Sequence, residues 1–157
     1  MYVIHHESGK KIRAIVSKLD KKEIAVINKS GRFHFNWNQE AKYEVYKLTA
    51  TGVNEPLGLI SIEDRISDYA VQIRLLASSK NNIGEGKEYE RIAGCLIAFA
   101  CKKSFSAGYE GYVCLKPKTD LEIHYQNAYG MKSTGMYLIT EQENSLMLIK
   151  RYNEEQN

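Results

Sequence analysis

Two glycines, Gly84 and Gly86, stand between a segment of alternating apolar residues and a strongly apolar stretch with helical character. Glycine lets the backbone approach a ligand closely, and the first N–H groups of a helix have no partner inside that helix. Anions bind at such helix starts because the free N–H groups and the helix dipole both favour negative charge. The order of strand, glycine turn and buried helix therefore predicts a phosphate-binding turn, with the helix running from about Lys87 to Ser104.

The glycine spacing excludes two common phosphate motifs. A Walker A loop needs Gly-x4-Gly-Lys-Ser/Thr, and the pair Gly86-Lys87 lacks both the first glycine and the hydroxyl residue. A Rossmann fingerprint needs a third glycine where this chain has Tyr89, and it begins a series of βαβ units. A Gly-x-Gly pair alone is a weak signal, so the surrounding elements must decide what it means.

The residues that precede the first strands predict a short, well-delimited helix. Asp20 and Glu23 have the spacing of a capping box, and Leu19 and Ile24 occupy the positions of a hydrophobic staple. Gly31 supplies a left-handed stop. We therefore expect a helix between Leu19 and Gly31.

Three alternating segments with short connections follow, at residues 43–49, 57–63 and 69–77. Short connections between successive strands indicate antiparallel hairpins. The long helix separates the third of these strands from a fourth at residues 111–116. We therefore expect these two strands to be parallel neighbours, joined by a right-handed crossover.

The C-terminal part of the chain predicts a helix at residues 119–129, closed by Gly130, and then a final hairpin. The two strands of this hairpin are expected at residues 135–140 and 145–152, on either side of a polar turn. Gly94, inside the long apolar helix, costs about 1 kcal/mol of helix propensity relative to alanine. We expect it to allow close packing of that helix on the sheet.

Together these elements predict a single α+β domain over residues 1–157, with a mostly antiparallel sheet that contains one parallel pair. This order of elements, with the glycines at the strand–helix junction, resembles the GNAT acetyltransferase superfamily. The signature of that family, Gln/Arg-x-x-Gly-x-Gly/Ala, lies at the same junction, where backbone amides hold the pyrophosphate of acetyl-CoA. The resemblance implies a splayed parallel strand pair, helices on both faces of the sheet, an acceptor-side segment at residues 1–40 and an acyl-CoA-binding core at residues 41–153.

The resemblance implies acetyl-CoA as the cosubstrate and no metal. Asn81 stands where the family has Gln or Arg, so a shorter and uncharged amide replaces the usual side chain. In the family, the backbone of the third strand pairs with the pantetheine arm like an added strand. The residues implied for cofactor binding are Leu75, Leu76, Ala77, Asn81, Asn82, Ile83, Gly84, Glu85, Gly86 and Lys87.

The implied reaction is direct transfer of the acetyl group to a primary amine of a small molecule or peptide. In the family, a tyrosine on the last helix protonates the departing thiolate, a few residues before a Gly-aromatic pair. Tyr125 is the nearest match in this chain, and Tyr129 is its rival. The general base stays open among Glu63, Asp64, Asp68, Glu110 and a chain of waters.

The aromatic stretch Phe33-His34-Phe35-Asn36-Trp37 is expected either to pack its rings into the core or to form one wall of a substrate pocket. The net charge of +3 is small, and no basic stripe alternates with aromatic residues. We therefore expect no nucleic-acid partner. The alternative to an enzyme is a non-catalytic GNAT-like module that binds an acyl-CoA or a protein.

The three cysteines, Cys95, Cys101 and Cys114, lie in apolar patterns and have no metal-ligand spacing. We expect buried free thiols, which persist in a reducing compartment. No apolar run is long enough to span a bilayer, and residue 1 is not followed by a secretory signal pattern. We therefore expect a cytoplasmic protein with no membrane partner. A homodimer stays open, as do the acyl chain length and the identity of the acceptor amine.

Overall fold

The computed structural model describes residues 1–153 and contains a central mixed sheet with helices on both faces. The strands are β1 (Tyr2–His5), β2 (Lys11–Lys18), β3 (Glu44–Ala50), β4 (Gly58–Arg65), β5 (Ala70–Ser78), β6 (Tyr89–Glu90), β7 (Val113–Leu115), β8 (Lys132–Ser133) and β9 (Leu138–Thr140). The helices are α1 (Lys21–Ser30), α2 (Ile92–Ser106), α3 (Glu122–Tyr129) and α4 (Gln142–Asn153). None of the helices in this described part is long and apolar enough to cross a bilayer.

The sheet has the order β6-β1-β2-β3-β4-β5-β7-β9-β8. Strands β5 and β7 are parallel, and the other neighbouring strands within residues 1–153 are antiparallel. Helix α2 connects the two parallel strands, as a crossover connection must. The mixed, mostly antiparallel α+β sheet with one parallel pair is therefore confirmed.

Helix α1 begins and ends where its sequence signals predict. Asp20 Oδ1 accepts a hydrogen bond from the Glu23 backbone N–H at 2.8 Å, and Glu23 Oε1 accepts one from the Asp20 N–H at 3.3 Å. Gly31 ends the helix with a left-handed φ of 70°. Ile24 on this helix is buried, so α1 covers part of the sheet.

Two apolar clusters cover the two faces of the sheet. Neighbouring residues of a strand point to opposite faces, and β4 shows this directly. Leu59 packs in the α1-side cluster with Trp37, whereas Ile60 packs in the larger α2-side cluster with Leu96. Helices therefore cover the sheet on both sides, as the sequence predicts.

Helix α2 starts at Ile92, so the prediction that it begins at Lys87, directly after the glycines, is wrong. Tyr89 and the following residue form β6 instead, which pairs with β1 at one edge of the sheet. The Tyr89 backbone N–H donates to Asn82 Oδ1 at 2.8 Å, and the Tyr89 ring is buried. Arg91 then takes a left-handed φ of 80°, and the helix begins after it.

The predicted final hairpin is also wrong, because residues 145–152 lie in helix α4. Apolar Leu148, Ile149 and Tyr152 recur at helical spacing and pack on the α2-side cluster. A Cβ atom at Gly94 would lie 2.2 Å from the ring of Tyr152. This glycine therefore allows close contact between α2 and α4, and not the packing on the sheet that the sequence suggests.

All three cysteines are buried and unpaired. Burial raises the pKa of Cys95 and the pKa of Cys101 to about 11, because desolvation disfavours the thiolate. These thiols are therefore protonated at neutral pH and behave as small apolar side chains.

Gly58, at the start of β4, lies directly under helix α2. An added methyl group there would lie 2.5 Å from Ile92 Cγ2 and 2.9 Å from Leu96 Cδ1. We expect Gly58→Ala to lower the free energy of unfolding by about 1–3 kcal/mol, as overpacking usually does, in urea denaturation followed by circular dichroism. Gly86→Ala is the matched control, because Gly86 has open space around it and no left-handed φ. Equal stability of the two variants would contradict this packing.

Candidate active site

The parallel strands β5 and β7 pair only over a short distance. Their register ends at the pair Ile73 and Leu115, and beyond it the strands separate. A cleft of about 120 Å³ opens at this point. It is lined by Phe35, Ile73, Arg74, Leu75, Leu76, Leu115, Lys116, Pro117, Lys118, Leu121 and Tyr125. The cleft therefore lies between the two splayed strands and is bordered by α3.

A β-bulge in β5 lies at the same position. Ser61 of β4 pairs with Leu75, and the next residue, Ile62, pairs with Ile73, which leaves Arg74 as the extra residue of β5. A bulge bends its strand and increases the local twist, and bulges are common beside active sites. The bulge thus accompanies the separation of β5 from β7.

Beyond the bulge, one edge of β5 has no strand partner within residues 1–153. Leu75, Leu76 and Ala77 pair with β4, and β7 no longer follows them on the other side. Leu75 and Leu76 line the cleft, whereas the Ala77 side chain is buried in the α1-side cluster. An open strand edge can pair with an extended ligand arm as if the arm were an added strand. The backbone of these three residues has the geometry for that role.

The guanidinium of Arg74 is fixed by a compact polar network. Buried Glu40 accepts hydrogen bonds through Oε1 from Arg74 Nε at 2.9 Å and from Ser61 Oγ at 2.8 Å. The ring of Tyr43 lies 3.7 Å from the guanidinium carbon, and Glu63 lies 3.6 Å from Arg74 Nη1. Such a buried charge is tolerated only when it is paired and hydrogen-bonded, and Glu40 meets this condition. Sequence reasoning missed Glu40.

The aromatic stretch Phe33–Trp37 contributes residues both to the core and to the wall of the cleft. Phe33 and Trp37 are buried in the α1-side cluster. Phe35 has a positive φ of 77°, is 41% exposed and lines the cleft, with Lys118 Nζ 4.5 Å from its ring centroid. The stretch therefore supplies both core residues and one wall of the cleft.

Tyr125 and Tyr129 occupy different positions although they are one helical turn apart. Tyr125 is half-buried in the wall of the cleft, and desolvation raises the pKa of its phenol. Tyr129 is buried behind it, at a ring distance of 5.8 Å, and desolvation also raises the pKa of that phenol. A raised phenol pKa keeps the proton on oxygen at neutral pH, as a general acid requires.

The four carboxylates considered as general base are far from equivalent. Glu63 contacts Arg74, which lines the cleft. The others have contacts elsewhere: Asp64 accepts a hydrogen bond from Tyr109, Asp68 pairs with Arg65, and Glu110 lies in an exposed turn next to Gln142. Glu63 is therefore the candidate that this geometry favours.

The glycine segment lies away from the start of α2. Gly84 has a left-handed φ of 79°, and Glu85 and Gly86 are exposed. Asn81 Nδ2 donates to Glu88 Oε2 at 3.1 Å, and buried Asn82 donates to Ser79 Oγ at 2.7 Å. Ile83 is exposed and Lys87 is partly buried. The predicted adjacency of Gly84 and Gly86 to the first turn of the helix is thus wrong.

The residue that occupies the left-handed position at the helix start is Arg91. With α2 beginning at Ile92, the spacing of the family signature falls on Glu88, Arg91 and Ala93 at this junction. A left-handed conformation costs a residue other than glycine roughly 1–3 kcal/mol. The backbone shape that glycine usually provides is therefore kept, but with a charged side chain attached to it.

A larger groove of about 630 Å³ lies between β2 and the C-terminal half of α2. Its lining includes Arg13, Phe99, Lys102 and Lys103, and it shares no residue with the cleft. We place the candidate active site in the smaller cleft, because only that cleft combines an open strand edge with Tyr125 and the Arg74 network.

The mixed sheet, the single parallel pair with its splay and the helices on both faces define the GNAT fold. Solved acetyltransferase structures share it. The spermidine/spermine N-acetyltransferase SpeG from Vibrio cholerae, in mutant forms, matches with a TM-score of 0.63 at 11% identity, over 86% of this chain and 98% of that one. The aminoglycoside acetyltransferase AAC(6')-Ib, in complex with coenzyme A and kanamycin, matches with a TM-score of 0.60 at 11% identity, over 90% and 100% of the chains.

A third similar structure is yncA from Salmonella typhimurium, described as a putative acetyltransferase with its cofactor acetyl-CoA. Its TM-score is 0.56 at 12% identity, over 83% of this chain and 94% of that one. No protein-family model matches the sequence, and no curated protein sequence matches it significantly. At these identities the likeness establishes the GNAT fold, and the activity has to be argued from the cleft.

The Glu40–Arg74 pair offers a direct test of the network beside the cleft. The side chain of Glu40 is 8% exposed, so Glu40→Ala leaves the Arg74 guanidinium without its main counter-charge. We expect a loss of about 2–3 kcal/mol in the free energy of unfolding, measured by urea denaturation, because Arg74 is partly exposed and keeps Glu63 as a partner. Glu63→Ala is the control, because Glu63 is 37% exposed and should cost at most about 1 kcal/mol. Similar losses in the two variants would contradict the assignment of Glu40 as the main partner.

Proposed function

We propose that this protein is an acyl-CoA-dependent N-acyltransferase that moves an acetyl group to a primary amine of a small molecule or peptide. The observation that carries the proposal is the cleft between β5 and β7, which joins an open strand edge to the phenol of Tyr125. When bound, acetyl-CoA supplies an activated acetyl carbonyl and a thiolate leaving group. The GNAT fold of the acetyltransferases described above supports this choice of donor.

The residues of the chain have separate roles in this proposal. The backbone edge of Leu75, Leu76 and Ala77 binds the pantetheine arm. Tyr125 holds a proton on its phenol oxygen for the departing sulfur, and Glu63 receives the proton that the amine loses, through water. Holding both substrates in one cleft converts a bimolecular reaction into an effectively intramolecular one, which is a large part of the expected rate enhancement.

The fit to coenzyme A is good along the arm and poor at the diphosphate. The cleft offers the open β5 edge, whereas the segment 81–87 lies away from the start of α2. We keep residues 81–87 as a proposed contact region for the cofactor, for example through the partly buried side chain of Lys87. This mismatch also favours the second candidate, a non-catalytic module that binds an acyl thioester or a protein.

The N-terminal segment has a place in the same proposal. Phe35 lines the cleft and Glu40 holds Arg74 beside it, which supports an acceptor-side role for residues 1–40, with residues 41–153 as the acyl-CoA-binding core. The buried, unpaired cysteines suit a reducing compartment, which supports a cytoplasmic location.

Ligand binding and turnover distinguish the two candidates. We expect acetyl-CoA to raise the melting temperature, since a ligand at 100 times its dissociation constant adds about 2.7 kcal/mol of stability. We also expect thiol release from acetyl-CoA in the presence of at least one amine of a panel that contains polyamines, aminoglycosides and peptides. Stabilisation without any amine-dependent thiol release would favour the module, and the absence of both effects would contradict both candidates.

Tyr125→Phe tests the general acid. We expect kcat to fall about 100-fold or more, because a positioned acid typically contributes that much, while the melting temperature with acetyl-CoA stays raised. Tyr129→Phe is the matched control and should change kcat less than about threefold, since Tyr129 does not line the cleft. The reverse order of effects would make Tyr129 the acid, and two unchanged variants would leave neither tyrosine with a catalytic role.

The pH dependence of kcat follows from the raised pKa of Tyr125. Desolvation moves this pKa above its ordinary value of 10.0, so the phenol keeps its proton through neutral and mildly alkaline pH. We therefore expect no loss of kcat from this group between about pH 7 and its ordinary pKa, measured with saturating substrates. If kcat fell with rising pH already below this ordinary pKa, and the fall were absent in Tyr125→Phe, the raised pKa would be contradicted.

A further inference from the structure

The first turn of α2 is closed in on one side by the side chain of Arg91. Its Nε donates to the Tyr2 carbonyl at 3.2 Å, and its Nη2 donates to the Arg151 carbonyl at 2.9 Å. The guanidinium carbon lies 4.0 Å from the ring centroid of Tyr2 and 4.8 Å from that of Tyr152. The side chain is therefore held between β1 and the end of α4 and does not extend towards solvent as a free phosphate ligand would.

A second side of the same turn is covered by Tyr152. Its ring lies against the backbone of Gly94, where even a methyl group would come within 2.2 Å of ring carbons. Ile92 and Gly94 are buried, and Ala93 is partly buried. Within residues 1–153, no acceptor takes the N–H groups of Ile92, Ala93 and Gly94. Access to these groups, and not their number, therefore decides whether an anion can bind there.

Two carboxylates precede this helix start along the chain, opposite the positive charge of Arg91. With α2 starting at Ile92, Glu88 occupies the place where the family signature has Gln or Arg. Glu90 follows two residues later and pairs with His6 at 3.1 Å. Carboxylates at a helix N-terminus already interact favourably with the helix dipole, and they repel an incoming diphosphate.

We propose that this protein holds its acyl donor by the pantetheine arm, and that the diphosphate of coenzyme A is not held at the start of α2. The donor class is then an acyl-pantetheine thioester, for which the nucleotide is dispensable. This inference rests on the proposed function, since it takes the β5–β7 cleft as the site of the arm. Arg91, Tyr152 and the carboxylates before α2 exclude the diphosphate from the helix start.

The direct test compares acetyl-CoA with S-acetylpantetheine on the unaltered protein, by isothermal titration calorimetry for binding and by thiol release for turnover. We expect dissociation constants within about threefold of each other and similar kcat values. A preference for acetyl-CoA of 30-fold or more would overturn the inference. Failure of both donors to bind would overturn the proposed function itself, and the inference with it.

A variant pair tests the cause of the exclusion. Arg91→Gly suits the left-handed φ of 80°, and Tyr152→Ala removes the ring from Gly94. In the double variant we expect acetyl-CoA to bind at least tenfold more tightly, with S-acetylpantetheine unchanged. Met147→Ala, at an exposed position of α4, is the control and should leave both affinities unchanged.

Arg91→Gly alone keeps the experiment decisive if the loss of Tyr152 prevents folding. We expect the single variant to be folded by circular dichroism and to bind acetyl-CoA more tightly than the unaltered protein does. A tenfold loss of acetyl-CoA affinity, with S-acetylpantetheine unaffected, would show that Arg91 binds the diphosphate and would overturn the inference.

Discussion

The separation of β5 from β7 beyond Ile73 and Leu115 is the constraint on which the candidate site depends. The bulge at Arg74 accompanies this separation, and it places a guanidinium beside apolar strands, where an unpaired charge would be costly. Glu40, from a 3₁₀ turn in the N-terminal segment, supplies the counter-charge. The N-terminal segment and the open strand edge therefore depend on one another, although a long stretch of sequence separates them.

Helix α4 contributes to the core and also covers the start of α2. Its apolar face completes the α2-side cluster through Leu148 and Tyr152. Since the same Tyr152 lies on Gly94, the packing that stabilises this part of the core also covers the first turn of α2. In this chain, packing of the C-terminal region and access to the helix N-terminus are therefore opposed, which is a physical reason to propose a donor site in the cleft and not at the helix.

The elements that sequence reasoning predicted well are those with local signals. The capping box of Asp20 and Glu23, and the short turns of the β3–β5 meander, need only neighbouring residues to specify them. The start of α2 depends on distant partners, because β6 forms by pairing with β1. The segment 145–152 has apolar residues compatible with both periods, and contact with α2 selects the helix. Glu40 had no sequence signal, since its partner Arg74 is identified only through the fold.

The glycine pair shows that backbone conformation and ligand access can be separated at the junction before α2. A glycine at a helix start provides a left-handed backbone and leaves room for a ligand, and both follow from its missing side chain. Here Gly84 lies in a turn eight residues before the first residue of α2, Ile92. Asn82 stabilises this turn, while Arg91 keeps the left-handed backbone at the junction itself. The left-handed backbone conformation is thus kept at this junction, but the space that a glycine would leave for a ligand is not. Because the cleft between β5 and β7 is formed independently of this junction, a covered helix start leaves the site proposed for the thioester arm intact.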